Sequence, residues 1–184
     1  MRALARALRR FALREEAGSV SVEAVVIMPL LLWWYVASFV FFDGFKQYSM
    51  NVKAAYTVGD MLSRQTDAIN DAYLEGMSDI FDYLTQQRND SWLRVTQIYW
   101  QGSRDRYRID WSYGTDGHND ARLTNGDLDD IAERLPTLVN GERIILVESF
   151  TTYAPAFNVG LDAELLFSNF VVTSPRYAPQ LAKN

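Results

Sequence analysis

The stretch Gly18–Phe42, GSVSVEAVVIMPLLLWWYVASFVFF, decides how the rest of the chain is read. Its last 19 residues, Ala24 to Phe42, carry no charge and are interrupted only by Pro29 and Ser38. At about 1.5 Å per residue, a helix of that length reaches roughly 28 Å, close to the roughly 30 Å hydrocarbon core of a bilayer. A cleaved secretory signal would have an apolar region of about 7–15 residues ending in a small-x-small site. This run is longer and ends in FVFFDGF. Pro29 would damage a soluble helix, whereas in a membrane span neighbouring helices and local readjustment satisfy the freed carbonyl. The expectation is a retained transmembrane helix over residues 19–42, with Trp33, Trp34 and Tyr35 as interface anchors.

Residues 1–18 hold five arginines, Arg2, Arg6, Arg9, Arg10 and Arg14, against Glu15 and Glu16. That net of +3 leaves −8 on residues 19–184, given the overall charge of −5. By the positive-inside rule, the leader is cytoplasmic and the remainder lies across the membrane. Residues 2–17 read either as a basic amphipathic helix on the inner leaflet, with Leu4, Leu8 and Phe11 on one side, or as a plain cationic leader. An acidic outer domain is a poor match for nucleic acid or anionic lipid, both of which call for basic surface, so other proteins are the expected partners. The absence of cysteine excludes disulfides, thiol catalysis and cysteine metal sites.

Beyond the span, apolar or small residues recur every three or four positions at Phe45, Tyr48, Val52, Ala55, Gly59, Leu62, Ile69, Tyr73, Met77, Ile80 and Leu84, the pattern of an amphipathic helix. A straight rod from Val22 to Gln87 would measure about 100 Å, too long for a domain of this size. A bend is expected at Gly59–Asp60 or, preferably, at Ser63–Asp67, with Thr66 or Asp67 capping a second helix. After the polar break QQRNDS the period changes to two. Arg106–Tyr113 places Tyr107, Ile109, Trp111 and Tyr113 on one face of a half-buried strand, and Trp92–Trp100 is its hairpin partner across QGSRD. Thr124–Leu135 reads as a short helix ended by Pro136, and Arg143–Tyr153 and Glu164–Thr173 read as two further strands. The expected class is α+β: a transmembrane helix extending into a long amphipathic helix that packs on a four-stranded antiparallel sheet, with residues 43–184 as one domain.

Chemistry-bearing patterns are sparse. His118 is the only histidine and lies in the loop GTDGHND; with no cysteine or second histidine it forms neither a two-histidine metal site nor a Cys–His pair, and it reads as a solvated loop residue. Asp116, Asp120 and Asp127 sit in an acidic, glycine-containing segment whose oxygens could hold calcium, but the spacing is not that of an EF-hand, and helix capping explains the same residues. No catalytic residue and no cofactor are expected.

The junction Gly18-Ser19-Val20-Ser21-Val22-Glu23, joined to a basic leader and an apolar helix with Pro29 near its start, resembles the type IV prepilin processing site. There a peptidase at the cytoplasmic membrane face cuts after the glycine, and the glutamate becomes the fifth mature residue. The opening GSVSVEAVVIMPLLL and the closing IILVESFTTYAPAF and ELLFSNFVVTSPR resemble the TadE/TadG-like family of the tight adherence (Flp) pilus system, whose tyrosine-x-proline turn and terminal arginine correspond to Tyr153, Pro155 and Arg176. The family usually has an aromatic residue after the glutamate, where this chain has Ala24. The resemblance implies a pilin-like, non-enzymatic subunit of a Tad pilus assembly machine, short enough to be of TadE or TadF type. It would sit in a bacterial inner membrane with a periplasmic domain, and its partners would be a prepilin peptidase, other pilin-like subunits and Tad assembly proteins. The alternative is an uncleaved single-pass protein of the same machine. For Glu23 two readings stand: a charge pair with the new amine of Ser19 on a neighbouring subunit, or a carboxylate resting in the headgroup layer.

Overall fold

The computed structural model describes residues 2–86, 90–157, 159–160 and 164–184, with side chains described from residue 20 onward. The structure is α+β: a long N-terminal helix α1 (Arg2–Ser63), a second helix α2 (Asp71–Thr85), one short helical turn α3 (Leu128–Ile131), and strands β1 (Ser91–Gln101), β2 (Arg106–Gly114), β3 (Arg143–Tyr153) and β4 (Leu165–Thr173). The chain divides into two compact units, residues 1–43 with 155–161, and residues 44–154 with 162–184.

Helix α1 passes Pro29 without ending and stops at Ser63, where Arg64 and Gln65 turn back on Met61 and Leu62. The break thus falls in the expected Ser63–Asp67 segment, but the cap does not. Asn70 caps α2, its Oδ1 accepting from the Tyr73 amide at 2.9 Å, in place of Thr66 or Asp67. The chain is held there from the other end of the sequence. Ile69 donates its amide to Ala182 and its carbonyl accepts from Asn184, so the first free N-cap position is residue 70.

The sheet is antiparallel in the order β2-β1-β3-β4. On one face, Ala54, Ala55, Val58 and Leu62 of α1 and Leu74, Met77 and Phe81 of α2 pack on Leu93, Val95, Ile145, Val147 and Val171. The expected seam holds at Ala55, Gly59, Leu62, Ile69 and Met77, which are buried, but not at Phe45, Tyr48 and Leu84, which are exposed, while Asn51, Ala54 and Val58 are buried beside it. Small residues set this seam. A Cβ on Gly59 would meet Val171 Cγ1 at 3.4 Å, and one on Gly44 would meet the Tyr153 ring at the same distance. On the other face, Leu123, Leu128, Leu135 and Leu138 from the β2–β3 connection cover Ile98, Ile144 and Leu146. Strand β3, interior and covered on both faces, is buried at nearly every position.

Strand β2 departs from simple alternation. Gln97 pairs with Trp111 but Ile98 pairs with Ile109, so Asp110 is an extra residue, a bulge. The bulge moves the side chains to opposite faces: Tyr107 and Ile109 join the cluster under the β2–β3 connection, whereas Trp111 and Tyr113 join the helix-side core. The expected single apolar face thus becomes two. The helix expected over Thr124–Leu135 contracts to α3 and a 3-10 turn at Ala132–Arg134, because only Leu128, Ile131 and Leu135 find apolar partners and Asp127 uses its carboxylate on Thr124.

Candidate functional site

The feature that stands apart from an ordinary globular domain is the apolar surface of the first unit. The described part of α1 from Val20 to Ser63 is the one helix among the described residues long and apolar enough to cross a membrane. Within this apolar run, Ala37 and Val40 are buried against Val159, with Val36 at their margin. The rest faces outward, including Ala24, Pro29, Trp33, Trp34 and Phe42, the last 76% exposed. Such a contiguous apolar surface far exceeds what a soluble monomer exposes. The one serine within the charge-free run is satisfied inside the helix, Ser38 Oγ donating to the Trp34 carbonyl at 2.9 Å.

Glu23 is exposed at the beginning of this surface. Gly18 and Ser19 lie in the helical backbone of α1, with their side chains outside the described residues. The leader side chains Leu4, Leu8 and Phe11 and the central part of the QQRNDS break also fall outside that description.

In the second unit, two of the three acidic candidates make hydrogen bonds within the fold. Asp127 Oδ2 accepts from both the amide and the hydroxyl of Thr124 at 2.7 Å, and these bonds hold its carboxyl below the usual carboxylate range. Asp116 Oδ2 accepts from the buried hydroxyl of Ser78 at 2.6 Å, and the Asp116 amide donates to Glu75. Asp120 is an exposed member of a 3-10 turn. Among the described residues no three of His, Cys, Asp or Glu converge on a point that could hold a metal. His118 stacks on Trp92 at 4.6 Å between ring centroids, and Trp92 stacks in turn on Phe150. The imidazole is thereby used as a flat surface in a column of rings.

Three groups on the helix face have shifted acidities, and burial raises that of the Tyr73 phenol. Burial pushes the Asp82 carboxyl up, partly offset by the hydrogen bond it accepts from Ser91, with Asp116 and Asp79 adding repulsion. The hydrogen bond that Tyr113 donates to Glu75 at 2.7 Å, with burial, pushes the phenol up to about 12.

The closing residues tie the end of α1 to the sheet margin. Tyr153 stacks on Phe167, the Arg176 amide donates to the Ser63 carbonyl at 2.8 Å, and the Arg176 guanidinium reaches Asp60 at 3.3 Å. Beside them a groove of about 240 Å³ opens between Tyr56, Gly59 and Asp60 of α1 and Val171–Thr173 of β4. Periodicity alone does not reveal this groove, since it depends on the small side chain at Gly59; the signal in the sequence is the charge-free run of β4.

No family model, no curated protein and no solved structure matches the chain.

Proposed function

We propose that the chain is a single-pass membrane subunit of minor-pseudopilin type, acting as a structural component of a Tad (Flp) pilus assembly machine in a bacterial inner membrane. The leader lies in the cytoplasm and the sheet domain in the periplasm. The observation that carries the membrane part is the outward-facing, charge-free surface of α1 from Ala24 to Phe42. The pilus part rests on the residues at the two ends of the chain: the Gly18–Glu23 junction, and the Tyr153, Pro155 and Arg176 positions of the closing segment. The role is scaffolding, with association carried by the span and the domain surface.

Glu23 is the residue that gives this reading a mechanism. A carboxylate costs roughly 2.5–3.5 kcal/mol at the centre of a membrane helix and less near its end, so a partner there is favourable. Cleavage after Gly18 would create an amine on Ser19 that meets the carboxylate of a staggered neighbour and fixes axial register. The test is affinity purification from detergent-solubilised membranes. Wild type should bring down other pilin-like subunits, and Glu23→Gln, inserted equally well, should not. Recovery of those subunits at wild-type yield with Glu23→Gln would remove the pairing role, and their absence from the wild-type purification would remove the pilus reading.

One observation favours the uncleaved alternative: the backbone at Gly18 and Ser19 is helical, and a protease cleft takes extended chain. Glycine lowers the cost of unwinding, being about 1 kcal/mol worse than alanine in a helix.

A further inference from the structure

The connection from β3 to β4 differs in character from the one before it. Between β2 and β3 the chain carries five aspartates from Asp116 to Asp130, whereas Ser149 to Leu161, SFTTYAPAFNVGL, holds no charge and the next carboxylate is Asp162. Residues 155–161 belong to the same compact unit as residues 1–43. Within that unit Val159, only 9% exposed, packs on Ala37 and Val40 of α1. Gly160 follows at a φ of +96°, a conformation open to glycine, so the backbone turns directly after this contact. Phe157 stays 54% exposed.

The contact with α1 fixes a depth. Ala37 and Val40 belong to the charge-free run, five and two residues before Phe42. At about 1.5 Å per residue they stand roughly 7.5 and 3 Å short of Phe42 along the helix axis. Where α1 crosses a bilayer, whatever packs on these two residues lies at their level. Irregular backbone is not tolerated facing hydrocarbon, so that level is the boundary between acyl chains and headgroups, a layer about 5–7 Å thick. Ala24 to Val40, 17 residues, still meets the length of a span. We propose that the β3–β4 connection is a second membrane contact, in which Phe157 seats among phospholipid acyl chains at this boundary while Val159 holds the connection to α1. The proposal rests on α1 being a transmembrane helix and is independent of the pilus reading. The bilayer is the occupant that the span itself brings to this level, and a segment without charge in an otherwise acidic region suits it. Attachment through both helix and connection fixes the rotation of α1 about its axis, which interfacial anchors set.

The chain has no cysteine, so single cysteines can be labelled in the full-length protein. Three exposed positions serve: Phe157→Cys, Phe39→Cys in the apolar run, and Ser103→Cys in the β1–β2 turn. That turn lies at the end of the sheet away from Tyr153, since Tyr99 pairs with Arg143 and Ser91 with Thr151. Each variant carries an environment-sensitive fluorophore and is reconstituted in phosphatidylcholine vesicles, with and without a phospholipid spin-labelled high on its acyl chain. The spin label should quench positions 39 and 157 to the same degree within about twofold and leave position 103 almost unaffected. Dissolved iodide should quench position 103 most strongly. If position 39 is quenched by lipid and 157 behaves like 103, the proposal falls and the span stands. If position 157 is shielded from both lipid and iodide while 39 is quenched by lipid, protein covers it and the proposal again falls. If lipid quenches none of the three, the transmembrane reading falls and takes the proposal with it.

Discussion

Asn51 shows how a single buried polar residue fixes the packing of α1. Its side-chain amide donates to the Gln47 carbonyl at 2.9 Å, and its Oδ1 accepts from the Thr151 hydroxyl of β3 at 2.7 Å, with both residues buried. Thr151→Val leaves that oxygen buried without its partner and should cost about 1–3 kcal/mol. The loss should shrink in the double variant Asn51→Leu/Thr151→Val, because removing both partners removes the unsatisfied atom. Chemical denaturation of the full-length protein in detergent micelles measures it; equal costs for the single and double variants would mean the bond does not tie helix to strand. Asp82 gives a second residue-scale expectation. Burial pushes its carboxyl above the ordinary aspartate value in the folded protein, so over the window from that value up to the raised one the folded state holds more protons than the unfolded one. Stability therefore falls as pH rises through the window, and the penalty persists above it. Asp82→Asn, which keeps an oxygen for Ser91, should raise the melting temperature at neutral pH, with the advantage vanishing as pH falls below the ordinary carboxylate range. An advantage independent of pH would contradict the burial account.

At the scale of elements, the four strands were legible because runs such as RIILVESFTTY are dense in β-branched and aromatic residues, and β3 begins and ends where that run does. The bulge at Asp110 was not legible, because alternation across Arg106–Tyr113 is unbroken in sequence and the extra residue exists only relative to Gln97 and Ile98 on the partner strand. The α1 seam was legible only in part for a related reason. Ala55, Gly59 and Leu62 lie on it as the spacing predicts, but Phe45 and Tyr48 have the same spacing and are exposed, while contact with the sheet adds Ala54 and Val58, whose compact side chains permit a close approach. The cap of α2 likewise depended on a long-range contact, the pairing of Ile69 with the C-terminal residues. Asn70→Ala should cost about 1 kcal/mol, and Asn70→Asp much less. Thr66→Ala and Asp67→Ala, at exposed positions, should be close to neutral in the same melting measurement. A larger effect at residues 66 or 67 than at 70 would move the helix start. Gly114 is a second element-scale position: a Cβ there would lie 2.2 Å from the His118 carbonyl oxygen, so the turn after β2 must shift. Gly114→Ala should destabilise by about 1–3 kcal/mol and expose the Trp92 stack to quenchers.

For the whole molecule, the candidate site was the most legible part of the sequence, since hydropathy and length need no tertiary partner. A charge-free run of 19 residues retains its meaning whatever it packs against. The proposed processing and orientation depend on a membrane and a peptidase, which no residue pattern within the chain supplies. The arginine-rich leader predicts that a periplasm-dependent reporter fused after Asn184 is active and one fused before Met1 is inactive; the reverse pattern would invert the topology. Gly18→Val, which places a β-branched side chain at the bond, should leave the longer form in the membrane. The most direct test of the pseudopilin reading is the intact mass of the wild-type protein purified from the membranes of cells that contain a prepilin peptidase. The account predicts a protein beginning at Ser19, lacking residues 1–18; a protein that retains all 184 residues would contradict it.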